Sequence, residues 1–375
     1  MEIFARKLNE VKLVILRLKN ILAGLSTFIQ NKFLARLNPI TPAQLKIFYI
    51  GGYWRGQNDM VSQMLQRLKT LGVNVCEFNT DENHDAIETD NLPYDRGTSS
   101  PVWLVREKLF PFILRFRPHL IICNAGGLSF RLEDGAFLRK LGIKLLGIAL
   151  SDPDVYETTT SKIAKNFDVF YSNNKGCVDL YRRSGARSYH LPIATNPDFF
   201  RPVQLRPEYI CDVLLLGAVH PDRIEPVHAL VEHFDTHVHG ENWEKYGITN
   251  RGFVFGEDAL SALSSAKMAV IFSRTISGYQ GIKVGVFDFL SAGCLVVTDD
   301  IPELHEYFIV GREIIAFKGT QDLLDKIRYY LDHPQEADEI RKAGREKVIN
   351  NYTWDKVWPK VLASIIQVDG WTTIV

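Results

Sequence analysis

The chain has 375 residues, 46% hydrophobic and 23% charged, enough to bury two ordinary cores, since domains usually run to roughly 100–200 residues. Its 44 basic side chains balance 44 acidic ones, so there is no general attraction to nucleic acid, and no nucleic-acid partner is expected. No apolar run reaches the roughly 18 residues of a membrane span and no signal-peptide pattern is present, which predicts a cytoplasmic chain.

Residues 1–37 read as a helical appendage. Phe4, Leu8, Val11, Ile15, Leu18, Leu22, Leu25 and Ile29 recur in steps of four and three, and Arg6, Lys7, Lys12, Arg17, Lys19, Lys32 and Arg36 outnumber Glu2 and Glu10. Such a stripe suits packing on its own protein, self-association with a twin subunit, or lying on an anionic membrane at the inner face. Pro39 and Pro42 end it, which sets a first segment at 1–43.

From Leu45 the pattern becomes α/β. The runs LKIFYIGG, VNVCEF, HLIICN, IKLLGIAL and DVFYS are short and continuous enough to be strands of a parallel sheet buried on both faces. Helical stretches at 58–71, 101–116, 130–141 and 174–184 lie between them. The segment PIATNPDFFRPVQLRPEY is punctuated by prolines as a linker would be. Beyond it DVLLLGA, MAVIFS, CLVVTD and EIIAF restart the alternation, predicting a second Rossmann-like unit. The expected domains are 44–200, 201–351 and a returning C-terminal helix at 352–375. Cys123, Cys211 and Cys294 fall within strand-like runs, and the five cysteines form no CxxC pair. That reads as reduced, buried thiols rather than disulfides.

Several loops at strand ends carry candidate chemistry. DVLLLGA ends in Gly217, and six residues on, before the helix EPVHALVEHF, Arg223 is placed to meet a phosphate or simply to stand at the surface near a turn. MAVIFS runs through Ser273 into RTISGYQGIKVG and then the helix VFDFLSAG. In that loop Gly278 and Gly281 permit close backbone approach, and the following amides suit a diphosphate or sugar hydroxyls. Asp288, eight residues after Gln280, suits the paired hydroxyls of a ribose by the logic of dinucleotide sites, or it solvates an exposed face. In the first unit Gly51 and Gly52 end the first strand, and Asn124, Gly126 and Gly127 end the third. Asp152, in the SDPD turn after IKLLGIAL, is a candidate catalytic base, with helix capping as the competing role. His233, His237 and His239 invite a metal reading, but the last two alternate along a strand with no fixed acidic ligand nearby. A solvated strand face is expected, and no metal.

The blocks GIKVGVFDFLSAGCLVVTDDIPELHEYFIVGREIIAF, DLLDKIRYYLDHPQEADEIRKAGREKVINNYTW and LPIATNPDFFRP, in that spacing, resemble the group-one glycosyltransferases of the GT-B fold, nearest the spore-maturation-protein-like branch. The resemblance implies two Rossmann-like domains facing a central cleft, with the stretch after Tyr352 crossing back onto the first. It places the family's Glu, seven residues, Glu motif on Gln280 and Asp288, as sugar-hydroxyl and ribose contacts. It makes Gly217, Arg223, Ser273, Tyr279, Gly281 and Lys283 donor-site residues, and GGYWRGQND the glycine-rich loop facing the donor phosphates. Family members often carry a cation just after the glycine-ended strand. Ala218 stands there, and Lys283 is the replacement from the facing loop.

The implied function is transfer of a sugar from a nucleotide-diphosphate donor to an acceptor hydroxyl, in cell-surface glycan or glycoconjugate synthesis. The nucleotide sugar is substrate, no cofactor is expected, and the acceptor is a glycan or glycolipid. A non-catalytic nucleotide-sugar-binding protein and an epimerase of the same fold remain open. A dehydrogenase is disfavoured because the first glycine loop lacks GxGxxG spacing.

Overall fold

The computed structural model describes residues 40–52, 59–89, 101–124, 127–275 and 278–368. The helical appendage read at 1–37 and the candidate Gly126 lie outside the described residues.

The first part of the chain runs β1 (Lys46–Gly51), α1 (Met60–Thr70), β2 (Asn74–Asn79), β3 (Ile87–Thr89), β4 (Val102–Leu104), α2 (Arg106–Phe116), β5 (Leu120–Asn124), β6 (Leu128–Ser129), α3 (Leu132–Lys140), β7 (Lys144–Ala149), β8 (Val169–Ser172), α4 (Lys175–Arg183) and β9 (Ser188–His190). Six strands form one sheet in the order β2-β1-β5-β7-β8-β9, every pairing parallel. Its middle strands are largely apolar because helices cover both faces: all five residues of β5 are buried. Local chemistry sets the helix ends. The Asn174 side chain accepts from the amide of Cys177 at 2.9 Å, capping α4, and Arg182 and Arg183 close its last turn.

One stretch differs from its expected structure. Residues 101–116 were expected to be one helix, but 102–104 form β4, which pairs antiparallel with β3 and parallel with β6 in a small three-stranded sheet. Val102 and Trp103 suit a pleated surface, and pairing across the chain outweighs the helical pattern that begins at Arg106.

The second part runs β10 (Cys211–Leu216), α5 (Ile224–His233), β11 (Thr236–His239), α6 (Gly256–Ser265), β12 (Ala266–Ile271), α7 (Val284–Ser291), β13 (Val296–Asp299), α8 (Leu304–Tyr307), β14 (Ile315–Phe317), α9 (Gly319–Asp332), α10 (Pro334–Asn351) and α11 (Trp354–Ala363). Its five strands are parallel, in the order β11-β10-β12-β13-β14. One face of the sheet packs Val213, Leu215, Val270 and Val297 against Leu230, Trp243, Leu323 and Ile327. Pro334 opens α10, where a missing amide hydrogen costs nothing.

By compactness the chain divides into two units at Leu191/Pro192 and again at Trp358/Pro359, and the residues of α1 up to Arg67 group with the second. Within the second unit Asn196 Nδ2 donates to Gln63 Oε1 at 2.7 Å and Trp358 Nε1 donates to the Met64 carbonyl at 2.9 Å. After Pro359 the chain belongs to the first unit, where the Tyr171 hydroxyl bonds Ser364 Oγ at 3.1 Å.

In both sheets the first two strands lie to one side and the third on the other. Each sheet therefore has a topological switch point, beyond the carboxyl ends of β1 and β5 in the first unit and of β10 and β12 in the second. Ligands of open α/β sheets bind at such points.

Among the described residues no helix is long and apolar enough to cross a membrane. All five cysteines are free, four of them buried.

Candidate functional site

The switch point of the second unit gathers most of the predicted donor residues. Gly217 leaves β10 with both its backbone groups engaged: its amide donates to the His239 carbonyl at 2.8 Å, and its carbonyl accepts from Trp243 Nε1 at 2.8 Å. Gly240 packs so tightly here that a Cβ on it would stand 2.0 Å from the Gly217 oxygen. Two glycines and an indole thus fix where the loop starts.

Arg223 ties this loop to the next. One guanidinium nitrogen donates to the Ala218 carbonyl at 3.0 Å and the other reaches the Arg274 carbonyl at 3.4 Å, just beyond β12. The group also lies over the Phe272 ring, 5.9 Å from its centroid. Burial lowers its pKa, with Asp222 and Asp299 opposing. Its Nε is buried without a hydrogen-bond partner among the described residues. Arg223 is therefore both a brace between two loops and a cation whose buried Nε–H is left over.

Residues 273–282 fold back on themselves. The Gly281 amide donates to the Ser273 carbonyl (3.2 Å), the Thr275 amide to the Tyr279 carbonyl (2.7 Å), and Gln280 bridges antiparallel to Arg274. Gly278, at φ +85°, makes the turn with open space around its α-carbon. Two carboxylates hold the feet of this ribbon: Asp299 accepts from the Ser273 amide at 2.5 Å, and Glu303 from the Ile282 amide at 2.9 Å. The amides of Gly281 and Ile282, expected to face a ligand, are thus already engaged. The amides of Val284 and Gly285, which open α7, are left for that part, whereas the Val286 amide already donates to the Lys283 carbonyl at 3.0 Å. Gln280 and Tyr279 are exposed, whereas Ser273 is only 2% exposed and its Oγ lacks a partner among the described residues.

Asp288 sits in the middle of α7, beside Val286, Phe287 and Leu290, which pack with Leu304, Tyr307 and Phe308. It does not solvate an exposed face: it is 7% exposed, and the Thr195 hydroxyl donates to it at 2.6 Å. Burial pushes its carboxyl from the usual 3.8 to about 7, the Thr195 bond opposing. Thr195 is itself fixed, its amide donating to the Tyr352 carbonyl and its carbonyl accepting from the Trp354 amide.

In the first unit the glycines answer to internal packing. A Cβ on Gly51 would meet the Asn124 carbonyl at 2.5 Å, one on Gly52 would meet Asp81 at 2.6 Å, and one on Gly127, at φ +92°, would meet Thr159 at 2.7 Å. Asn124 Nδ2 donates to the Tyr49 hydroxyl at 2.8 Å, and its Oδ1 has no partner among the described residues.

Asp152 is corrected from catalytic base to structural hub. It is 6% exposed, and both its oxygens are occupied: Ser172 and Tyr181 donate to one at 2.6 and 2.8 Å, Thr160 to the other at 3.0 Å. Burial raises its pKa against the pull of these bonds. A buried carboxylate held by three hydroxyls is fixed in place as a structural hub would be.

The histidine strand is corrected too. His237 and His239 are each 4% exposed rather than solvated, and burial lowers both pKa values. Among the described residues no group of three or more histidine, cysteine, aspartate or glutamate side chains could hold a metal ion.

Comparison with known proteins agrees with this geometry. A family described as glycosyl transferase-like matches residues 222–363. The spore protein CgeB of Bacillus subtilis is 20% identical over 237 residues, 57% of this chain and 73% of that protein. The sucrose-phosphate synthase of Thermosynechococcus elongatus superposes with a TM-score of 0.55 at 17% identity, covering 84% of this chain and 96% of that one. HepE from Anabaena, solved with UDP and glucose, gives 0.55 at 12% identity over 84% and 97%. The chain has the GT-B fold, and its residues 222–363 are similar to the glycosyl transferase-like family. The family match begins at Asp222, next to Arg223, and runs through both feet of the 273–282 ribbon.

Sequence reasoning missed Gly240, Trp243, Asp299 and Glu303. The only signal for the acids was TDDIPE after a strand, and nothing marks Trp243 as the partner of a glycine 26 residues away.

Proposed function

We propose that this chain transfers a glycosyl group from a nucleotide-diphosphate sugar, held at the β10/β12 switch point, to an acceptor hydroxyl. The observation that carries the reading is the pair of buried, unpartnered polar atoms there, Arg223 Nε and Ser273 Oγ, because buried donors are normally satisfied. In the proposed reaction the bond between the anomeric carbon and the diphosphate oxygen breaks, the electron pair leaves with the diphosphate, and the acceptor oxygen takes the carbon and gives its proton to the departing diphosphate oxygen or to water. Arg223, Lys283 and the first amides of α7 offset the charge on the leaving diphosphate, a task that needs no metal ion. Ser273, Tyr279 and Gln280 line the sugar side, and Asp288 takes the ribose hydroxyls. HepE and other GT-B neighbours solved with UDP or UDP-glucose support a nucleotide-sugar donor. A hexosyl donor and a cell-surface glycan or glycolipid acceptor are part of the same proposal.

The test is a thermal-shift screen of uridine, guanosine and adenosine diphosphates and their sugars, followed by acceptor-dependent release of nucleoside diphosphate. If none raises the melting temperature, or if Arg223→Ala responds as the parent does, the donor site is misplaced. One observation favours a second reading, a binding protein without turnover: the family's first acid is here the uncharged, exposed Gln280. Donor binding without consumption in the presence of any acceptor would decide for it.

A further inference from the structure

His220 lies in the loop between β10 and α5, three residues past Gly217. Its backbone is fixed, since its carbonyl accepts from the Arg223 amide at 3.0 Å and the loop is anchored at Gly217 by His239 and Trp243. Its Nδ1 is buried, with no hydrogen-bond partner among the described residues. That is the third such atom at this switch point, beside Arg223 Nε and the 2%-exposed Ser273 Oγ. Loop, strand end and guanidinium thus leave three unsatisfied polar atoms where a ligand belongs.

The charges around His220 are those of a poised cation. Burial first, then Arg223, hold its pKa below the usual value, and Lys283 at the start of α7 adds to this, while Asp222 opposes. Arg274 lies 3.9 Å from Asp222, and Asp299 acts on Arg223 rather than on the imidazole. In the free chain His220 is therefore neutral at physiological pH. A diphosphate arriving among these cations reverses the balance, because a nearby anion favours the protonated ring.

Resting on the donor reading above, we propose that His220 binds the donor diphosphate and takes up a proton as it does so, supplying the positive charge that Ala218 does not. Donor affinity then depends on pH. It rises as the pH falls through the value His220 has in the complex and levels off below the value it has in the free chain.

Isothermal titration of the full chain with uridine, guanosine and adenosine diphosphate sugars tests this. These diesters have no group titrating near neutrality, so protons counted in two buffers of different ionisation enthalpy belong to the protein. The expected result is net proton uptake near neutrality and binding that strengthens by about tenfold between about pH 8 and about pH 6. His220→Gln should bind with less uptake than the parent and a flatter pH dependence. His220→Lys should show the same reduced uptake and keep the tight affinity at both pH values. Asp288 titrates in the same window in all three proteins, so the difference between parent and variant isolates His220. Uptake in His220→Gln equal to the parent's, or parent and variant curves that run parallel, overturns the role of His220 and leaves the donor site standing. If no nucleotide sugar binds the parent chain, the donor reading falls and this proposal falls with it.

Discussion

Replacing Asp288 by asparagine removes a buried negative charge while keeping the shape of the side chain and an oxygen that can accept from Thr195. In the folded chain burial raises the carboxyl from the usual 3.8 to about 7, and that displacement corresponds to roughly 4 kcal/mol. The sign follows from the direction. Because the folded value lies above the unfolded one, Asp288 contributes fully below about pH 4, its contribution drains away as the pH climbs toward about 7, and the charged carboxylate is a fixed cost above that. Chemical denaturation of parent and variant between about pH 4.5 and pH 8.5 measures the difference directly. Trp243, Trp354 and Trp358, all fully buried in the second unit, report its unfolding by fluorescence. The asparagine variant should be the more stable by only about 1 kcal/mol at the acid end and by roughly 4 kcal/mol at the alkaline end. A difference that stays constant across the range would show that Asp288 is solvated or paired and would refute this account of its burial.

Asp152→Ala strands the hydroxyls of Thr160, Ser172 and Tyr181 and should cost about 2–4 kcal/mol of stability, read from urea midpoints, with nucleotide-sugar affinity unchanged. A variant as stable as the parent but without turnover would return Asp152 to the role of base. Gly240→Ala drives a methyl into the Gly217 carbonyl, which should cost about 1–3 kcal/mol and weaken donor binding because the loop carrying His220 and Arg223 shifts. Unchanged affinity in a titration would show that the loop is not part of the site. Arg223→Ala removes a charged donor and a brace at once and should weaken nucleotide-sugar binding by about ten- to a hundredfold. Arg223→Lys, which keeps the charge but cannot reach both carbonyls, should recover only part of it.

The larger plan of the chain was legible because parallel strands buried on both faces leave continuous apolar runs, and β1, β5, β7, β10 and β12 each have one. The assignment of the family's two-acid motif to Gln280 and Asp288 came from the resemblance, through QGIKVGVFD standing before AGCLVV. What escaped was whatever depends on contacts between distant segments. Asp152 stands in an acidic turn at a strand end, as a base would, yet its three hydroxyl partners come from residues 8, 20 and 29 positions later in the chain. His237 and His239 alternate like a solvated face, but β11 is covered, His239 Nδ1 lying 3.0 Å from the Gly252 carbonyl. A strand of three residues such as β4 is too short to impose a period, so the helix pattern that follows it overran it. His220 drew no notice because a single histidine in a loop has no pattern at all; its environment distinguishes it.

The ribbon from Ser273 to Ile282 is pinned at its feet by Asp299 and Glu303, both supplied by the following strand and turn. A loop clamped at its base, with Gly278, Tyr279 and Gln280 exposed, is a replaceable part. Exchanging the residues between the feet should leave the sheet's stability nearly untouched while altering which sugar the chain prefers. Donor choice in proteins built this way can drift one loop at a time, without the fold having to be found again.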